Sequence, residues 1–153
     1  MLYNNRMNPQ TYIFIGRSGC GKGTQAEFLI SYIKERDVEK RPVFYLETGP
    51  QFRDFITGDS YASILAKKVY EEDKRQPDFL AIWMWSHIFL DKLKGDEHML
   101  LDGITRSLPE ATTFTTAMEF YGREVTIVFV NVSREWSEKR LTERGRADDK
   151  SID

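Results

Sequence analysis

Apolar residues along this chain keep switching between two spacings. Residues 11–15 (Thr-Tyr-Ile-Phe-Ile) are a short run rich in β-branched and aromatic side chains, which reads as a buried strand running straight into a glycine cluster at residues 16–23. Residues 24–36 then place Ala26, Leu29, Ile30 and Ile33 on one side of a helix. Residues 43–46, entered after Pro42, predict a second strand; residues 98–101 predict a third, ending at Asp102-Gly103; residues 125–130 predict a strongly apolar fourth. Residues 50–94 are helical throughout, with breaks near Gly58-Asp59 and Gln76-Pro77 and with Ser60 and Asp78 as N-caps of the second and third helices. Residues 108–121 and 133–144 complete the helices. Strands that alternate with helices and are apolar on both faces predict an α/β protein, a three-layer arrangement of a parallel sheet with helices on both faces. The strongest strand comes last and leaves room for another that this sequence does not supply, so the pattern looks like a fold minus its final unit.

Composition narrows the class. A chain of 153 residues with 41% hydrophobic content is read as one domain, residues 1–153. Its 22 basic and 24 acidic residues give a net charge of −2, which offers no whole-molecule case for a nucleic-acid or anionic-membrane binder and leaves room for a local basic cleft. One cysteine rules out an internal disulfide, and with two histidines it cannot build a structural zinc site alone. His87 and His98, without partners at metal spacing, are read as structural; Trp83 and Trp85 are read as core, and Lys67-Lys68 as a solvated helix face. No stretch approaches the roughly 18 apolar residues of a membrane span, and residues 1–10 lack the apolar heart of a secretory signal, so a cytoplasmic setting and no membrane partner are expected.

The most informative segment is Gly16-Arg-Ser-Gly-Cys-Gly-Lys22-Gly-Thr24, between the first strand and a helix N-terminus. Gly16, Gly21 and Lys22 satisfy the G-x-x-x-x-G-K spacing, although Gly23 stands where a Ser or Thr usually follows, with Thr24 next. Glycines let backbone N–H groups turn inward as an anion nest, and the helix dipole adds positive charge there. Lys22 can reach β- and γ-phosphates, and a nearby hydroxyl can bind Mg²⁺. The competing reading is a plain glycine turn, which the strand–loop–helix context disfavours. Cys20 in this loop is read as a small residue filling a tight space rather than as a redox switch.

The second half of a site is suggested by Leu100-Leu101-Asp102-Gly103, which puts an acid at the C-terminal end of a strand, where ligands collect in open α/β sheets. Asp102 is placed to hold the water shell of Mg²⁺, or is simply a turn-forming Asp-Gly pair. Arg106 follows in the same loop. Arg140 and Arg144 share a helical face that Arg146 extends; they are either guanidinium forks for phosphate oxygens or a solvated helix end complementing the dipole.

Taken together these residues resemble the adenylate kinase family of nucleoside monophosphate kinases. Residues 16–25 resemble its G-x-x-G-x-G-K-G-T-Q loop. Glu47-Thr48-Gly49 with Arg53 resembles T-G-x-x-x-R, Leu101-Asp102-Gly103-Ile104-Thr105-Arg106 resembles L-D-G-F-P-R, and Arg140 to Asp149 resembles R-x-x-x-R-G-R-x-D-D. The resemblance implies a P-loop nucleoside-kinase fold with core segments 11–47 and 96–153 and a small helical monophosphate-binding insertion at about residues 48–77. It implies Mg²⁺-dependent phosphoryl transfer from ATP to a nucleoside monophosphate, by a monomer. Gly19, Cys20, Gly21, Lys22, Gly23 and Thr24 would cradle ATP, with Arg140 on its adenine. Thr48, Arg53, Gly103 and Arg106 would hold the monophosphate, the backbone of residues 74–76 would line its base pocket, and Arg144 and Arg146 would bridge the two phosphates. Lys22, Arg106, Arg144 and Arg146 would be the catalytic cations, and Thr24 and, through water, Asp102 would serve Mg²⁺. Only one residue separates Arg144 from Arg146, so any lid is minimal.

Three departures qualify the resemblance. Ile104-Thr105 replaces Phe-Pro, which loosens the aim of Arg106. Glu110 stands where adenylate kinases place an adenine-reading glutamine; an ionised carboxylate only accepts and suits the paired N1–H and N2–H₂ donors of guanine. AMP is thus the default acceptor, with GMP or another base open, unless Glu110 merely faces solvent. The family also continues past the Asp148-Asp149 pair with a further arginine, a strand, the loop behind the adenine and a closing helix that this sequence lacks. A non-catalytic or truncated nucleotide-binding module is therefore the alternative, and a kinase for another small metabolite is a third reading.

Overall fold

A computed structural model of the chain describes residues 8–145. In chain order the elements are β1 (Thr11–Ile15), α1 (Lys22–Arg36), β2 (Val43–Glu47), α2 (Thr48–Phe55), α3 (Tyr61–Glu71), α4 (Asp78–Lys92), β3 (His98–Asp102), α5 (Leu108–Tyr121), β4 (Val125–Phe129) and α6 (Arg134–Arg144). The four strands pair in parallel in the order β2-β3-β1-β4. Strand side chains alternate between faces, so neighbouring residues feed different cores. Ile13, Met99 and Leu101 pack with Trp85, Phe89, Phe114 and Met118 from α4 and α5, while Phe14 and Leu100 pack with Ala26 and Ile33 of α1. This is the three-layer α/β P-loop arrangement expected from the sequence. β3, buried on both faces, is its spine.

The topology fixes where a ligand can sit. The chain leaves β1 for β2 on one side and leaves β3 for β4 on the other, although β1 and β3 are neighbours. The crevice at the carboxyl ends of that pair is the switch point, and it receives the glycine loop after β1 and the loop after β3.

Several boundaries differ from expectation for identifiable reasons. α1 begins at Lys22 rather than residue 24, because Gly21 at φ 93° turns the loop directly into the helix. α2 begins at Thr48, two residues before the expected start, immediately after β2 ends at Glu47. Ser60 caps α3 as expected, its side chain accepting from the Ser63 N–H at 3.0 Å. Asp78 is not an N-cap: Pro77 takes that place, its carbonyl accepting from Leu80 and Ala81, and the Asp78 carboxylate pairs with Arg75. Trp85 is core, but Trp83 is 45% exposed and stacks on His87 with 5.5 Å between ring centroids. The expected coverage on both faces holds for the inner strands and gives way at β4. β4 lies at the sheet edge, with Ile127 and Phe129 exposed beside an open apolar groove of about 570 Å³ between the strand and α5. Hydrophobicity selects a strand; it does not supply the neighbour that would cover it.

The amino ends of the strands are closed by buried charge. His98 accepts the Gln10 N–H at Nδ1 (3.1 Å), which leaves Nε2 to donate to Asp37 (3.2 Å). Asp37 also accepts from the Arg41 backbone N–H and from its Nη1, both at 2.9 Å. Burial pushes the Asp37 carboxyl up, but these donors outweigh it and hold it below the usual carboxylate range. Glu97 likewise accepts from the Lys94 N–H (3.1 Å), the Gly95 N–H (3.0 Å) and Arg123 Nη2 (2.9 Å).

Candidate active site

The loop after β1 is shaped by where side chains cannot go. A Cβ at Gly19, which sits at φ 77°, would lie 2.8 Å from both the Ser137 carbonyl and Leu141 Cγ of α6, so only glycine fits there. α1 then opens with no side-chain cap and no acid in its first turn, leaving the orphan amides of a 15-residue helix for an anion. Lys22 Nζ folds across the mouth of the loop, donating to the carbonyls of Gly16 (3.0 Å) and Arg17 (3.1 Å), and stands 4.0 Å from Asp102 Oδ1. Cys20 is buried, its N–H donating to the Arg17 carbonyl at 3.3 Å; it fills the loop and does not line the cavity.

Asp102 ends β3 opposite Glu47 in the strand register. Burial raises its carboxyl; Lys22 and Arg106 pull it down, while Glu47 adds a further upward push. Tyr45, also on β2, has its hydroxyl buried with no hydrogen-bond partner, and burial next to Asp102 and Glu47 raises its pKa strongly. A buried acid and an orphan hydroxyl beside a lysine suit an ion-bearing phosphate ligand. Among the described residues no three His, Cys, Asp or Glu gather as a metal cage. Mg²⁺ takes one or two protein groups and keeps waters and phosphate oxygens as its other ligands. The Thr24 hydroxyl, exposed on the cavity wall, and Asp102 are the groups available to it.

On the other wall, Thr48 Oγ1 donates to the Gly103 carbonyl at 2.9 Å, tying the start of α2 to the loop after β3. Gly103, at φ 83°, is required there, since a Cβ would meet Thr48 Oγ1 at 2.6 Å and Arg106 Nη2 at 2.9 Å. Arg53, one turn into α2, lies along Gly49. Glu110 is buried rather than solvent-facing; burial raises its carboxyl, and Arg106 and Arg75 oppose that.

One cavity of about 700 Å³ collects these groups: Gly19, Gly21, Lys22, Gly23 and Thr24 on one side, Thr48, Arg53, Gly103, Arg106 and Glu110 on the other, and Arg140 and Arg144 from α6 at the rim. Arg140 lies over the Trp136 ring, 5.4 Å from its centroid. Residues 74–76 line the same space. Arg146, Asp148 and Asp149 lie outside the described residues.

No protein-family model matches the chain. Known adenylate kinases do. The enzyme of Flavobacterium psychrophilum is 33% identical over 135 residues, covering 88% of this chain and 66% of its own length. That of Brevibacillus brevis is 32% identical over 136 residues (86% and 58%), and that of Parabacteroides distasonis 29% over 142 (92% and 70%). This chain belongs to the adenylate kinase family. It spans 58–70% of the length of these relatives. Tyr45 is among the wall residues that motif reading passed over, and for Arg75 it expected only the backbone, not the side chain that reaches Arg106. Tyr45 carried a signal in its alternation with Glu47 toward the carboxyl end of β2; the Arg75 side chain carried none, because it reaches the site only through the fold of the helical segment.

Proposed function

We propose that the chain transfers a phosphoryl group from ATP, with Mg²⁺, to a nucleoside monophosphate. What carries the reading is the single cavity that joins a phosphate-binding loop to a second cluster of cations across Asp102. Lys22 follows the transferred phosphoryl group, Gly19 to Thr24 hold the ATP phosphates, and Arg140 takes the adenine side. Thr48, Arg53, Gly103 and Arg106 hold the monophosphate, with Arg144 and Arg146 between the two phosphates. Thr24 and, through water, Asp102 would hold Mg²⁺, which would neutralise phosphate charge when bound with the nucleotide. The acceptor oxygen is already anionic, so no general base is needed. Positioning and cationic stabilisation supply the rate. AMP is the default acceptor; Glu110 on the cavity wall is the group through which GMP would compete.

The test is ADP formation from ATP and Mg²⁺ with AMP, GMP, CMP and UMP in turn. Turnover with at least one acceptor, cut about 10²–10³-fold or more by Lys22→Ala, is expected. Nucleotide binding without turnover on any acceptor would sink the catalytic reading in favour of a nucleotide-binding module.

A further inference from the structure

Arg106 follows a backbone irregularity. Thr105 sits at φ 57°, in the left-handed region that β-branched residues rarely occupy. Such a conformation persists only where its surroundings hold it. Two side chains stand against the residue that follows Thr105. Arg75, 31 positions earlier and in the link between α3 and α4, donates from Nη1 to the Arg106 carbonyl at 2.8 Å. Glu110, 2% exposed, stands 3.9 Å from the same Nη1 through its carboxylate. Asp78 pairs with the other arm of Arg75 and so fixes the direction of its fork. The Arg106 carbonyl is thus gripped by a guanidinium that a buried carboxylate faces on one side and Asp78 holds on the other.

Helix capping explains only part of this. Ser107 caps α5 by accepting from the Glu110 N–H at 3.3 Å, and a reciprocal box would return the Glu110 carboxylate to the N–H of Ser107 itself. Here that carboxylate faces Arg75, whose guanidinium holds the Arg106 carbonyl and has no part in capping α5.

We propose that Arg75 and Glu110 are positioning residues that hold the strained turn at Thr105 and so aim Arg106 into the cavity, making the aim of that arginine depend on the helical segment that carries Arg75. The inference rests on the reading of Arg106 as the monophosphate clamp. A guanidinium fork grips phosphate through paired hydrogen bonds, so its orientation governs acceptor affinity, and a misplacement near 1 Å costs about 10²-fold.

The test uses the full chain with Arg75→Met, Arg75→Lys, Thr105→Gly and the Arg75→Met/Thr105→Gly double variant. Arg75→Met is expected to raise the KM for the monophosphate about 10- to 100-fold while leaving the KM for ATP unchanged, and Arg75→Lys to restore part of the difference. Glycine occupies positive φ without steric cost, so Thr105→Gly is expected to recover most of the loss in the double variant. An unchanged monophosphate KM, an equal rise in both KM values, or a double variant no better than Arg75→Met would overturn the proposal. If the wild type turns over no monophosphate, the functional reading fails, and hydrogen exchange at the Arg106 amide decides the positioning role by itself. Exchange at least about tenfold faster in Arg75→Met, slowed again in the double variant, sustains it; unchanged exchange refutes it.

Discussion

The two ends of the sheet handle buried charge in opposite ways. At the amino ends of the strands, Asp37, His98, Glu97 and Arg123 are buried and satisfied, each acid meeting at least three donors. At the carboxyl ends, Asp102 is buried with Lys22 no closer than 4.0 Å, the Tyr45 hydroxyl has no partner, and the chain passes through positive φ at Gly103 and Thr105. Both ends are polar, so polarity alone does not mark a site. The end whose buried charges are completed by the protein holds the fold together; the end where they are left incomplete is the candidate site.

Substitutions at each end should separate stability from activity. The largest stability effect is expected from Arg123→Met, which strands Glu97 in the interior with two backbone donors; a loss of about 3–5 kcal/mol by denaturant unfolding should accompany unchanged kinetics per folded molecule. A fall in kcat matching the loss of stability would erase the distinction. Asp102→Asn should do the reverse. Folding raises the Asp102 pKa above its ordinary value of 3.8, so the native state binds more protons there and stability falls as pH climbs from 3.8 through the raised value. The Asn variant should lack that decline and unfold at higher denaturant than wild type near neutral pH, while losing phosphoryl transfer. Unfolding midpoints followed from acid to neutral pH check the sign. The smallest effect is expected from Tyr45→Phe, which removes an orphan hydroxyl and should leave stability within about 1 kcal/mol, on the favourable side. A clear destabilisation would mean that the hydroxyl is satisfied in the folded protein.

The strand–loop–helix unit around Lys22 could be read from sequence because local spacing dictates it: a five-residue β-branched and aromatic run, a glycine loop and a 3.6-residue period follow one another without a gap. The loop after β3 was readable for the same reason. The reach of the Arg75 side chain to Arg106 was not, because it is created by two helices folding back across 31 residues. Nor was the exposure of β4, whose composition matches that of a buried strand. Burial belongs to the neighbours of a segment, and a one-dimensional pattern records none of them. Thr105 is intermediate: the missing proline was visible, whereas the left-handed backbone that proline could not adopt was not.

α1 touches both ends. Its first residue is Lys22, and the residue that closes it, Asp37, is locked to His98 and Arg41 about 22 Å away. The helix is therefore a cantilever, clamped at the far end and carrying its working load at the tip. One residue more or less along its length would swing the tip by about 100° and shift it about 1.5 Å, with every motif in the loop still intact by spelling. The reach of Lys22 is set as much by the number of residues before the clamp as by the glycines beside it.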